Sequence, residues 1–325
     1  MTPETTNETL QHRLERVLLG GRRKYTRLEV AQLAGVDQER TSRLWRALGF
    51  ATVADDEVVF TDADVEAMRI ADGLTRAGLI DSAAENAVTR TLGQHLSRLA
   101  EWQVDILWSL IIRDDQLQLD EQRIAALVDQ LLPELQQIQN FVWHRHLAAF
   151  AGRALAAPGE ELASRTQVVG FVDMVGYTRL TRRLHESELG AILDRFEAVT
   201  TEVVAQQRGS VVKMIGDEVL FVVDDTANAA EIALTLTERA AADPTLPAVR
   251  GGMAYGRVLS RFGDVYGSTV NIASRLTSVA RGGTVLVDKA LARELTGQPQ
   301  YKLRTRRPLS VRGYQRLRPA ALRRA

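Results

Sequence analysis

Six polar residues in the second half of the chain stand where their types can do chemistry: Asp173, Lys213, Asp217, Asp264, Asn271 and Arg275. Asp173 closes the apolar run of Phe171-Val172 and precedes a turn at Gly176. Lys213 leads into Met214-Ile215-Gly216-Asp217, whose glycine-aspartate step separates two apolar runs. Asp264 follows Gly263, and seven positions on comes Asn271, four before Arg275, so the last two share one helix face. Taken singly, each has an ordinary structural reading. A strand-end aspartate caps a helix or forms a turn, Gly-Asp between apolar runs is a hairpin signal, and most pairs four apart on a helix are merely solvated.

The elements that must position these residues follow from a change of period near Thr166. Gln167 to Val172 reads as a buried strand, Glu186 to Gln206 as a helix, and Ser210 to Met214 with Val219 to Val223 as two strands joined by the Ile215-Gly216-Asp217 turn. Ala227 to Ala241 is a second helix, Val249 to Val258 a strand, Thr269 to Val279 a helix and Thr284 to Val287 a last strand. The order β-α-β-β-α-β is that of a ferredoxin-like core. The fold class expected for the whole chain is therefore α+β, with an all-α first half.

That first half reads as helix nearly throughout. Leu28, Val30, Leu33 and Val36 precede a second short helix with Leu44, Trp45 and Leu48, and Gly35 between them fits a helix–turn–helix. Asp62 is placed to cap the next helix. Two long helices follow. One carries Val88, Leu92, Leu96, Leu99, Ile106 and Leu110 near 3.6-residue spacing, the other Ile124, Leu127, Leu131, Leu135, Ile138 and Phe141, with a kink expected at Pro133. Ala157-Pro158-Gly159 breaks the pattern. The expected domains are 1–156, helical and regulatory; a linker at 157–166; and 167–325.

Composition narrows the chemistry. The 325 residues contain no cysteine, which excludes thiolate catalysis and cysteine-ligated zinc and fits a reducing compartment. No apolar run reaches 18 residues and no signal peptide opens the chain, so the expected location is cytoplasmic, with no membrane partner. Net charge is zero, yet from Tyr301 to Ala325 nine Lys or Arg residues meet no acid. An exposed edge strand kept soluble by cations explains that tail, with a phosphate or acidic-partner surface as the alternative.

Found together and in order, the motifs Phe171-Val172-Asp173-Met174-Val175-Gly176-Tyr177-Thr178, Lys213-Met214-Ile215-Gly216-Asp217-Glu218, Gly263-Asp264-Val265-Tyr266-Gly267 and Val270-Asn271-Ile272-Ala273-Ser274-Arg275-Leu276 resemble the catalytic domain of the class III nucleotidyl cyclases. The resemblance spans roughly Thr166 to Leu317 and implies an adenylyl cyclase that turns ATP into 3′,5′-cyclic AMP and pyrophosphate. It implies that Asp173 and Asp217 bind two Mg²⁺ or Mn²⁺ ions per site, that Lys213 and Asp264 read adenine, and that Asn271 orients the ribose while Arg275 stabilises the transition state. It further implies a homodimer with two composite sites, one chain giving the aspartates and its partner the other four residues. Base choice agrees with hydrogen-bond polarity: adenine offers an acceptor at N1 and a donor amine at N6, which a lysine and an aspartate complement. In the family a second lysine often reaches the triphosphate; Arg257 or Arg261 is placed here to supply that charge.

Residues 27–66 resemble the regulatory domain that precedes the catalytic domain in some actinobacterial cyclases, on Leu44-Trp45-Arg46-Ala47-Leu48-Gly49-Phe50 and Phe60-Thr61-Asp62-Ala63-Asp64-Val65. The rival is a DNA-binding module using Arg40, Arg43 and Arg46. Glu29, Asp37, Glu39, Asp55, Asp56 and Glu57 nearby argue against the basic stripe that such a module shows. A degenerate, binding-only cyclase domain is the other rival, and retention of all six residues argues against it. His144 and His146, beside Trp143, are the candidate regulatory residues, since histidine titrates near pH 6.5 and some relatives with this layout respond to pH.

Overall fold

The computed structural model describes residues 10–113, 121–156, 164–311 and 314–325. The chain divides into two compact units, Met1–Ala156 and Ala157–Ala325.

The first unit contains α1 (Leu10–Leu18), α2 (Arg27–Ala34), α3 (Gln38–Ala47), α4 (Asp62–Arg76), α5 (Ser82–Arg113) and α6 (Glu121–Ala156). A capping box opens α2: Thr26 accepts from the Glu29 N–H, and Glu29 accepts from the Thr26 N–H at 2.8 Å. Gly35, at φ 69°, ends α2 in the left-handed conformation that lets the chain turn into α3. The cap of α4 is Thr61, not Asp62 as the sequence suggests. Asp64 accepts from the Thr61 N–H at 2.7 Å, while Asp62 takes hydrogen bonds from Lys24 and Tyr25. Val30, Leu44, Phe60, Val65 and Met68 form the core, with Trp45 edge-on to Phe60 at 4.6 Å.

The rejected DNA-binding rival loses a residue here, and one expectation changes. Arg40 is not presented to solvent for a nucleic acid: it bonds Asp72 and Glu85 at 2.6 Å each, and Thr75 at 3.0 Å, tying α3 to α4 and α5. The periodic apolar residues of the long helices do not all mark a core. Val88, Leu92 and Leu96 on α5 and Ile138 and Phe141 on α6 stay exposed within the chain. Pro133 lies inside α6, which continues past it to Ala156.

The second unit runs β1 (Ser164–Met174), α7 (Tyr177–Leu180), α8 (Glu186–Gln206), β2 (Ser210–Ile215), β3 (Glu218–Val223), α9 (Thr226–Ala242), β4 (Val249–Arg261), β5 (Asp264–Tyr266), α10 (Ser268–Val279), β6 (Val285–Val287), α11 (Lys289–Glu294), β7 (Tyr301–Thr305), β8 (Leu309–Val311), β9 (Tyr314–Leu317) and β10 (Ala320–Arg324). Residues 157–163 of the expected linker lie outside the described residues, and its last three already belong to β1. The main sheet has the order β2-β3-β1-β4-β6-β10-β7. Its first four strands are mutually antiparallel in the ferredoxin-like order, and β6 joins β4 in parallel.

Val168 to Val172 are buried to a residue, as befits a central strand covered on both faces. Phe196 and Val203 of α8, Ile232 and Leu236 of α9 and Leu291 of α11 cover one face. Ala273 and Leu276 of α10 cover the other. Gly252 makes that second packing possible: a Cβ there would stand 2.2 Å from the Thr277 backbone nitrogen. Successive registers put Lys213, Leu220, Phe171, Gly252, Leu286, Ala321 and Arg304 in one row across seven strands, on the α10 face. The basic C-terminal stretch is only partly the exposed edge that its charge suggests. β7 is the edge strand, but β10 is inserted between β6 and β7, with Ala320, Ala321 and Leu322 buried.

Candidate active site

Asp173, the last residue but one of β1, pairs in register with Glu218 on one side and Arg250 on the other. The arginine reaches across: its Nε and one terminal nitrogen lie 2.7 and 2.6 Å from the same Asp173 oxygen, and its other terminal nitrogen donates to the Ser278 carbonyl of α10 at 3.1 Å. Asp217 occupies the β2–β3 turn, fixed by the Met174 N–H donating to its carbonyl at 3.0 Å. Burial, and after it the charge of Asp173, raises the Asp217 carboxyl above the usual carboxylate range. Burial, then the charges of Asp173 and Asp217, pushes Glu218 up to about 7, with Arg250 opposing. This end of the sheet therefore crowds negative charge that a cation would relieve.

Among the described residues no group of three or more His, Asp or Glu side chains is arranged to hold a metal. The donor set is a pair of carboxylates close enough for the charge of Asp173 to act on Asp217. That fits Mg²⁺ or Mn²⁺, which prefer oxygen ligands and share them with phosphates.

The other four residues gather around α10. Lys213 Nζ lies 2.5 Å from Asp264 Oδ2, and Asp264 Oδ1 accepts from the Val265 N–H at 2.8 Å. Both side chains are part-exposed, so the pair is open to a ligand. Asp264 leads through Gly267, at φ 130°, into α10. Asn271 and Arg275 lie away from the buried Ala273, Leu276 and Thr277, on the solvent side of that helix. Asp264, which pairs with Lys213, thus precedes the first turn of α10 in the chain, while the Arg250–Asp173 contact meets the Ser278 carbonyl in its last turn.

Sequence reasoning missed Arg250. The signal was available: a cation beside Gly251-Gly252 at the start of the strand, seven positions before the next one. Arg257 and Arg261, the expected sources of phosphate-binding charge, lie at the opposite end of β4. Arg257 pairs with Thr166 and bonds Ser164, and Arg261 stacks on Phe262 at 4.7 Å. His144 and His146 lie exposed on α6, against Trp143 at 5.1 Å and Phe150 at 6.4 Å respectively, and not against each other.

A βαββαβ sheet with paired strand-end carboxylates and an Asn-x-x-x-Arg helix defines a class III nucleotidyl cyclase, and the comparisons agree. Residues 163–322 match the adenylate and guanylate cyclase catalytic domain, and residues 4–147 the adenylate cyclase regulatory domain. The chain belongs to this cyclase family. It is 47% identical over 290 residues to an adenylate cyclase of Streptomyces coelicolor, covering 89% of this chain and 76% of the other. It is 36% identical over 282 residues to a pH-sensitive adenylate cyclase of Mycobacterium tuberculosis, covering 84% and 70%. No helix among the described residues is long and apolar enough to cross a membrane.

Proposed function

We propose that this adenylate cyclase converts ATP to cyclic AMP and pyrophosphate at two sites, each shared between two copies of the chain, under control of its helical unit. The observation that carries the reading is the separation of functions along α10. The carboxylate pair with Arg250 stands at one end and the Lys213–Asp264 pair at the other, so a second copy can bring the complementary set to each. Asp173 and Asp217 hold two divalent cations, which when bound supply positive charge to the 3′-hydroxyl and to the phosphates. Lys213 donates to adenine N1 and Asp264 accepts from its N6 amine. Asn271 fixes the ribose so that its 3′-oxygen faces the α-phosphate. Arg275 takes up charge on that phosphate as pyrophosphate leaves, a role worth on the order of 10³–10⁵ in related phosphoryl transfers.

Complementation tests the shared site. Asp173→Ala and Arg275→Ala should each be inactive, and mixing them should restore cyclic AMP production, because one of the two sites in the heterodimer is intact. A mixture that forms heterodimers and stays inactive overturns the shared arrangement.

The helical unit is the regulator, and proton concentration is the signal favoured here. His144 and His146 lie on α6, the element that leads into the catalytic unit along the chain. The Mycobacterium tuberculosis relative, named as pH-sensitive, matches across both halves.

A further inference from the structure

The arginines of the C-terminal stretch have no part in the reaction as assigned, yet three of them line a cavity. Arg304, Arg306 and Arg307, at and after the end of β7, face Arg281, just beyond α10, around a concavity of about 510 Å³. Leu286, Val279 and Ala280 form its apolar side. Arg304 shares a sheet row with Ala321 and Leu286, which directs it to the α10 face, and Val279 follows Arg275 by one helical turn. Among the described residues none of these four guanidinium groups has a carboxylate partner, although Arg324, Arg250 and Arg195 in the same unit each do.

We propose that this cavity is a second anion site, separate from the residues assigned to ATP, and that it takes a condensed phosphate of two or more phosphoryl units. Four arginines lining one concavity offer many N–H donors, with no acid among the residues that line it. A phosphate chain matches them, because it presents several oxygens and several negative charges within a small volume. The volume lies in the small-ligand range of about 300–1,000 Å³, which favours a compact anion over a protein surface. The site adjoins the C-terminus of the helix that carries Asn271 and Arg275, so its occupancy bears on how that helix is held.

Calorimetric titration of the full-length chain with inorganic tripolyphosphate, in EDTA and without ATP, tests the site. One anion should bind per chain. Affinity should fall more than about tenfold in Arg304→Gln/Arg307→Gln, and also in Arg281→Gln on a separate element, with unchanged thermal melting. Binding should survive Arg275→Ala. Undiminished affinity in both arginine variants overturns the proposal, as does loss in Arg275→Ala, which would put the anion among the ATP residues. Displacement of nothing by tripolyphosphate while polyglutamate binds would overturn it in favour of an acidic protein. A parallel titration with pyrophosphate identifies the source. Equal affinity makes the anion the reaction's own leaving group, and preference for the longer chain makes it a separate metabolite; either result upholds the site. The readout is independent of turnover, so a chain that binds tripolyphosphate but makes no cyclic AMP refutes the reaction alone.

Discussion

Arg250 directs two guanidinium nitrogens at a single carboxylate oxygen of Asp173, at 2.6 and 2.7 Å, from the neighbouring strand. The contact sits where the assigned chemistry needs positive charge, and it links the carboxylate end of the sheet to the last turn of α10 through the Ser278 carbonyl. Asp173→Ala and Asp217→Ala should each lower kcat by more than about 100-fold, exceeding the effect of losing an outer-shell partner. Arg250→Ala should lower kcat/KM by more than about tenfold, as expected for loss of a charge-assisted contact. Cyclic AMP assays beside circular dichroism check this. Retained activity in folded Asp217→Ala removes it from the metal set.

Lys213 and Asp264 are paired with each other across 51 positions, so adenine must divide that pair to be read. Guanine presents the reverse polarity and leaves both groups mismatched. Asp264→Ala should therefore lower the preference for ATP over GTP by about tenfold or more. Competition between the two nucleotides measures it, and an unchanged ratio removes Asp264 from base recognition.

Regulation by protons has a direct measurement: the ratio of full-length activity to that of residues 160–325 between about pH 5.5 and pH 8, the range over which an ordinary histidine titrates. The ratio should change across that range in the native chain and flatten in His144→Ala/His146→Ala. A flat ratio in the native chain ends the switch, and an unchanged slope in the double variant moves it away from these histidines. One pKa unit between inhibited and active states supplies about 1.4 kcal/mol, a tenfold shift in population.

Asp243, which ends α9, provides a pH dependence of stability. The Thr245 hydroxyl and then Arg195 Nε donate to it, holding its carboxyl down at about 2. A depressed carboxylate contributes fully above its unfolded pKa, about 3.9, and loses that contribution as pH falls through the folded value. The difference in melting temperature between the native chain and Asp243→Ala should be constant above about pH 5 and shrink steadily toward pH 2. A difference that grows on acidification contradicts the assignment.

What the sequence by itself determined is what its short-range chemistry encodes. The strand-end aspartates, the Gly216 turn, the Asn271–Arg275 helix face and the Gly35 stop each depend on a few adjacent residues, and the β-α-β-β-α-β order follows from where the period changes. Only the tertiary structure decided the rest. Arg250 meets Asp173 because β1 and β4 pair in one register, and a slip of one residue would turn either side chain to the other face. β10 lies inside the sheet because Ala320 to Leu322 fill a place between β6 and β7 that a count of cations does not reveal. Arg40 turns inward because Asp72 and Glu85, 32 and 45 positions away, are brought beside it. The exposed apolar residues of α5 and α6 make the same point from the other side. Periodicity states that a helix has an apolar face, but which faces a chain covers depends on contacts between residues far apart along it.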